Sequence, residues 1–201
     1  MAILKPAFFF LMAYFLGSIP FGVLIARMYR VDIRQVGSKN PGATNVLRAV
    51  GKKPAIFTLL GDLGKGMAAS ILGKVFLSSS GLAAIMGFMA IIGHDWSIFS
   101  RFRGGKGVAT SLGVFLILAP LPAVLALLTW LGVFAVSRYV SLASVSAAMV
   151  LPVFIFLFSG GNSTLFQVAL LASALLIFKH RSNIQRLMAG TEHGFRSKKS
   201  R

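Results

Sequence analysis

Residues 122–158 read PAVLALLTWLGVFAVSRYVSLASVSAAMVLPVFIFLF, two long apolar runs parted only by Ser137-Arg138-Tyr139. A helix that crosses the hydrocarbon of a bilayer needs about 20 apolar residues. Each run comes close to that length and carries no charge, so the stretch reads as two membrane spans turning at a single cation. The same alternation extends to both ends of the chain. Apolar stretches occupy 7–26, 54–78, 81–93, 107–119, 122–137, 140–158 and 163–178, with the Lys and Arg residues gathered between them. The expectation is an all-α, polytopic integral membrane protein of about seven transmembrane helices. Five or six spans are the alternatives, because 81–93 and 107–119 are short for a full crossing. The apolar run at the N-terminus lacks a small-residue cleavage site and reads as a retained first span.

Composition agrees. Of the 201 residues 56% are hydrophobic, above the roughly 45–50% of soluble domains, and the mean hydropathy is +0.82. Against 21 Lys and Arg stand only four acids, Asp32, Asp62, Asp95 and Glu192, a formal charge of +17 that calls for an anionic partner. Nucleic acid is disfavoured: its binders cluster cations on one face of a soluble domain, whereas these lie in short segments between apolar runs. The chain has no cysteine, which excludes thiol nucleophiles, disulfides and thiolate metal sites.

Cation placement also sets an orientation. With the N-terminus outside, the inner segments 27–53, 94–106, 137–139 and 179–201 hold seven, three, one and seven basic residues. The outer segments, 1–6, 79–80, 120–121 and 159–162, hold only Lys5. That asymmetry is the positive-inside pattern and puts the C-terminus in the cytoplasm. With no internal repeat and no long linker, residues 1–201 form one transmembrane domain.

Three inner segments carry the residues suited to chemistry. The first reads Gly37-Ser38-Lys39-Asn40-Pro41-Gly42-Ala43-Thr44-Asn45-Val46-Leu47-Arg48, small residues that leave backbone N–H groups open to an anion, or equally a polar surface turn. The second, residues 93–110, contains Arg101, Arg103 and then Gly104-Gly105-Lys106-Gly107, which sets a lysine at a helix start where phosphate is favoured. It does not match the P-loop pattern. Arg101 and Arg103 suit an anionic membrane surface. The third reads Lys179-His180-Arg181-Ser182-Asn183 and continues to Glu192. His180 and Asn183 would share a face if the last helix continued. Asp62 and Lys65, three apart in an apolar stretch, suit a mutual ion pair, and Lys74 suits a snorkelling position. Adjacent on a helix, His94 and Asp95 would point about 100° apart and form no relay.

Together the three segments resemble, in order and spacing, the bacterial acyl-phosphate-dependent glycerol-3-phosphate acyltransferases, the PlsY family. The resemblance implies seven transmembrane helices and transfer of a fatty acyl group from acyl phosphate to the 1-hydroxyl of glycerol 3-phosphate. The products would be lysophosphatidate and phosphate, formed without metal or other cofactor at the cytoplasmic face of the bacterial inner membrane. Partners would be the two substrates, membrane lipids and the enzyme that makes the acyl phosphate. By motif, the catalytic positions fall on Ser38, Lys106, His180 and Asn183. Substrate binding falls on Asn40, Gly42, Asn45, Arg48, Gly104, Gly105 and Ser144, with Ser141 competing with Ser144 and Glu192 a further candidate. His180 would serve as a base or hold the loops together. Lys39 and Ser97 stand where the family's usual residues are Gly and Pro. No His is followed five residues later by Asp, which argues against the acyl-CoA-dependent class. A small transporter for an anionic phosphorylated metabolite is the alternative.

Overall fold

A computed structural model describes residues 4–159 and 163–195. Residues 160–162 of the expected outer segment 159–162, the first three residues and the tail from 196 lie outside the described residues, so four of the seven basic residues of the expected last inner segment do as well. No strand occurs among the described residues. The helices are α1 (Leu4–Ser18), α2 (Phe21–Met28), α3 (Ala43–Ala49), α4 (Lys52–Phe76), α5 (Ser80–Asp95), α6 (Val108–Leu118), α7 (Pro120–Ser137), α8 (Val140–Ser159), α9 (Thr164–Lys179) and α10 (Arg181–Met188). Pro20, which has no N–H to donate, marks the break between α1 and α2.

Each expected apolar stretch is helical. Five helices are long and apolar enough to cross a membrane, counting α1 with α2 as one, and α9 with α10 makes a sixth if that pair is taken as one span bent by 55°. The stretch at 107–119 is the 11-residue α6, about 16 Å long at 1.5 Å per residue and so roughly half a bilayer. Its start is given up to the glycine loop, and Ala119 breaks it from α7 before Pro120.

Without a hydrophobic drive between helices in lipid, small residues at the seams let backbones pack closely. A Cβ on Gly17 of α1 would stand 2.1 Å from the Ala90 carbonyl oxygen of α5, and one on Gly93 would stand 2.2 Å from that of Tyr14. Gly66 and Gly113 play the same part between α4 and α6. Large side chains go outward, with Phe8, Leu60, Val75, Val153 and Leu171 exposed around the bundle. That inversion suits hydrocarbon as the solvent.

At one end of the bundle the connecting segments are cross-linked. The 105 amide meets the carbonyl of His94, the 195 amide meets that of Arg138, and Arg48 reaches the carbonyl of His193. At the opposite end Lys74, expected to snorkel, is exposed and donates to the carbonyl of Ile117 at 3.2 Å.

Candidate active site

The first inner segment folds around Asn45, which is 1% exposed. Its Oδ1 accepts the Ser38 N–H at 3.0 Å, and its Nδ2 donates to the carbonyls of Ile33 and Val36 at 3.2 and 3.0 Å. Asn45 thus builds the loop that presents Ser38, an exposed residue. Gly37 has φ +57°, and a Cβ there would stand 2.3 Å from Asn45 Oδ1. Only glycine satisfies both demands. The amides of Ser38 and Lys39 are engaged within the loop, at Asn45 Oδ1 and the Val36 carbonyl, so of the two readings of this segment, open N–H groups or a polar turn, these two positions follow the turn. Asn40 lies against Gly42, which caps α3. That short helix, not foreseen within the loop, carries Arg48.

Gly104-Gly105-Lys106-Gly107 runs from the turn after α5 into α6. The Gly105 amide donates to the His94 carbonyl at 3.1 Å, and Gly107 takes the left-handed φ of +73° as the cap of α6. The first amides of α6 have no partner within the helix. The Lys106 ammonium donates to Oδ1 of Asn183 on α10, so the second and third segments meet. Arg101 and Arg103 are exposed.

The last helix does not continue as expected: it ends at Lys179, and α10 leaves at 55°. His180 sits buried at that bend, with Nδ1 2.8 Å from the Leu176 carbonyl oxygen, while its own carbonyl accepts the amides of Asn183 and Ile184. After α10 the chain folds back. Glu192 accepts hydrogen bonds from Ser141 Oγ and Asn183 Nδ2, both 2.7 Å, and from Arg186 Nε at 2.8 Å. Asn183 is therefore held with one amide end toward a carboxylate and the other toward Lys106. Arg48 donates to the His193 carbonyl at 2.7 Å and lies 4.8 Å over the Phe195 ring.

Of the two competing serines, Ser141 joins the Glu192 cluster. Ser144, one helical turn along α8, donates to the Val140 carbonyl and accepts from Trp130 Nε1 at 3.1 Å. It borders an apolar cleft of about 70 Å³ among α6, α7, α8 and Leu176 of α9.

Burial pushes the Lys106 ammonium down to about 8; Glu192 opposes this, while Arg186, Lys179 and Arg48 add to it. Burial also holds Arg48 below its ordinary value against the pull of Glu192. For Glu192 burial acts upward, but the hydrogen bonds from Asn183, Ser141 and Arg186, with the charge of Arg186, outweigh it and keep the carboxylate low. The result is an anion-seeking group of three cations, Arg48, Lys106 and Arg186, around one carboxylate. Arg186 and the 193–195 strap were not singled out from sequence. Arg186 is one basic residue among several in that segment, and a chain reversal after Gly190, with φ +68°, leaves little trace in one sequence.

A polytopic helical bundle with a cation-rich polar site at one end and an apolar cleft bordered by Ser144 defines a membrane protein suited to anionic ligands. Comparison with known proteins narrows this. The profile of the glycerol-3-phosphate acyltransferase family matches residues 7–190. The glycerol-3-phosphate acyltransferase of Methylococcus capsulatus is 47% identical over 181 residues, 90% of this chain and 91% of the relative. That of Aquifex aeolicus is 44% identical over 195 residues, 96% and 100% of the two chains. The solved structure of PlsY, an integral membrane glycerol 3-phosphate acyltransferase, in its glycerol 3-phosphate form, superposes with a TM-score of 0.90 at 43% identity, covering 95% of this chain and 96% of that one. The chain belongs to the glycerol-3-phosphate acyltransferase family, and its activity is acyl transfer to glycerol 3-phosphate.

Proposed function

We propose that the acyl donor is an acyl phosphate and that the products are lysophosphatidate and inorganic phosphate. The reading rests above all on two cations from separate segments, Arg48 at the His193 carbonyl and Lys106 at Asn183, gathered around Glu192. Both proposed substrates carry phosphate, and charge-assisted hydrogen bonds from Lys and Arg suit it. The apolar cleft beside Ser144 offers the acyl chain a place next to those cations.

The oxygen of the 1-hydroxyl attacks the acyl carbon, the carbon–oxygen bond to phosphate breaks, and phosphate leaves with the bonding pair. The hydroxyl proton passes to His180 or to a phosphate oxygen. An acyl phosphate is already activated, so positioning and charge stabilisation suffice for a large rate gain, and no covalent enzyme intermediate is required. Lys106 and Arg48 hold the phosphates, Asn183 orients Lys106, and Ser38 with Asn40 and Gly42 lines the acceptor side. His180 chiefly fixes the bend that brings Asn183 to Lys106.

The site faces the cytoplasm of the bacterial inner membrane, with the N-terminus outside and seven apolar helices in the bilayer, placed to receive acyl phosphate from the enzyme that makes it. Purified protein supplied with glycerol 3-phosphate and either palmitoyl phosphate or palmitoyl-coenzyme A tests the donor. Equal amounts of phosphate and lysophosphatidate from the first and none from the second are expected; turnover of the thioester alone overturns the assignment.

A further inference from the structure

Beneath the glycine loop lies a second charged group that the transfer as written does not use. Asp62 and Lys65 of α4 form the expected ion pair at 2.8 Å, their side chains 5% and 2% exposed. Lys65 also donates to the carbonyl of Ile19, at the break between α1 and α2, at 2.8 Å. The Asp62 oxygen that meets Lys65 lies 3.4 Å from Nδ1 of His94, in the last turn of α5.

The other side of His94 faces the glycine loop. A Cβ on Gly105 would stand 2.2 Å from His94 Nε2, and one on Gly104 would stand 1.9 Å from the His94 carbonyl oxygen, which also accepts the Gly105 amide. Both glycines therefore rest on one residue. The next carbonyl, that of Asp95, is taken by the Lys179 ammonium at 2.9 Å, so the end of α5 supports the loop before Lys106 and the residue before His180 together. A pair that merely oriented helices would need only Asp62 and Lys65. Here the same carboxylate oxygen also stands beside an imidazole nitrogen, and a carboxylate next to one ring nitrogen favours the tautomer and orientation that turn that N–H toward it.

We propose that His94 is a positioning residue for acyl transfer: Asp62, pinned by Lys65, holds its ring in one orientation, and the ring and carbonyl form the floor that sets the height of Gly104-Gly105-Lys106. The Lys106 ammonium then meets substrate phosphate at a fixed place. This rests on the reading of Lys106 as a phosphate holder.

The test compares His94→Leu, which keeps bulk but removes the polar nitrogen beside Asp62, with His94→Asn, whose amide N–H can take the place of Nδ1–H. Kinetics are measured for each substrate in turn, with the thermal midpoint in detergent measured alongside. In His94→Leu, KM for the substrate held by Lys106 should rise about tenfold or more, with a smaller change in kcat and a near-normal midpoint, since a displaced ammonium loses phosphate binding that ground state and transition state share. His94→Asn should restore most of the loss. Wild-type KM in His94→Leu, or equal losses in both variants that follow the midpoint, would overturn the proposal. Should His94→Leu not fold, the neutral pair Asp62→Leu with Lys65→Met removes the tether and leaves the ring; a raised KM is expected, and an unchanged one refutes the idea. A wrong donor assignment reads differently: wild type is then silent with palmitoyl phosphate, and the same comparison is made on the donor that does turn over.

Discussion

Titration of Lys106 should be visible in the rate. Burial and three neighbouring cations bring its ammonium to about 8, with only Glu192 pulling the other way. Above that pH the group loses its proton and can no longer hold phosphate as a cation. At pH 7 roughly ten in eleven sites are charged and at pH 9 roughly one in eleven, so kcat/KM should fall about tenfold per pH unit beyond 8. On the acid side, substrate phosphate takes up a proton near pH ~6, and the rate should fall again. The decisive comparison is Lys106→Arg, whose guanidinium stays charged to about pH 12. Its alkaline limb near 8 should vanish, while the planar fork fits the Asn183 carbonyl less well and lowers the rate about 10- to 100-fold. Initial rates of phosphate release between pH 5 and ~10 give both profiles. An unchanged limb in Lys106→Arg, or a wild-type profile flat through 9, would refute the role given to Lys106.

Two further outcomes follow. Glu192→Gln removes the carboxylate that raises the Lys106 value, so the alkaline limb should move to lower pH, and kcat/KM at pH 7 should drop about tenfold as Asn183 and Arg186 lose a charged acceptor; the same rate profile reads it. Lys39→Gly relieves a non-glycine φ of +58° and should stabilise the protein by up to about 1 kcal/mol, seen as a higher thermal midpoint with activity retained.

The membrane helices were legible because apolar runs of span length are hard to mistake, and the short 107–119 stretch already signalled a helix that does not cross fully. The Asp62–Lys65 pair followed from spacing alone. At Lys39, where the resemblance implies glycine, the loop turns through a left-handed conformation that favours glycine. The break at His180 was hidden, because Lys179 to Asn183 contains no proline or glycine to mark it. Also hidden was the return of the chain after Gly190, which turns Glu192 from a loose motif match into the acceptor of three side-chain hydrogen bonds. Asn45, assigned to substrate by motif, spends its amide on the loop itself, a distinction that spacing does not carry.

Convergence of the three basic segments at the inner face is open to direct measurement, since the chain has no cysteine and single cysteines can be introduced cleanly. Lys39→Cys, Arg103→Cys and Arg181→Cys, with Ser79→Cys as the opposite-face control, should be treated with a membrane-impermeant maleimide in intact cells and in inverted vesicles. The first three should react only in inverted vesicles and Ser79→Cys only in cells. Labelling of Lys39→Cys and Arg103→Cys from opposite sides would contradict a shared phosphate site.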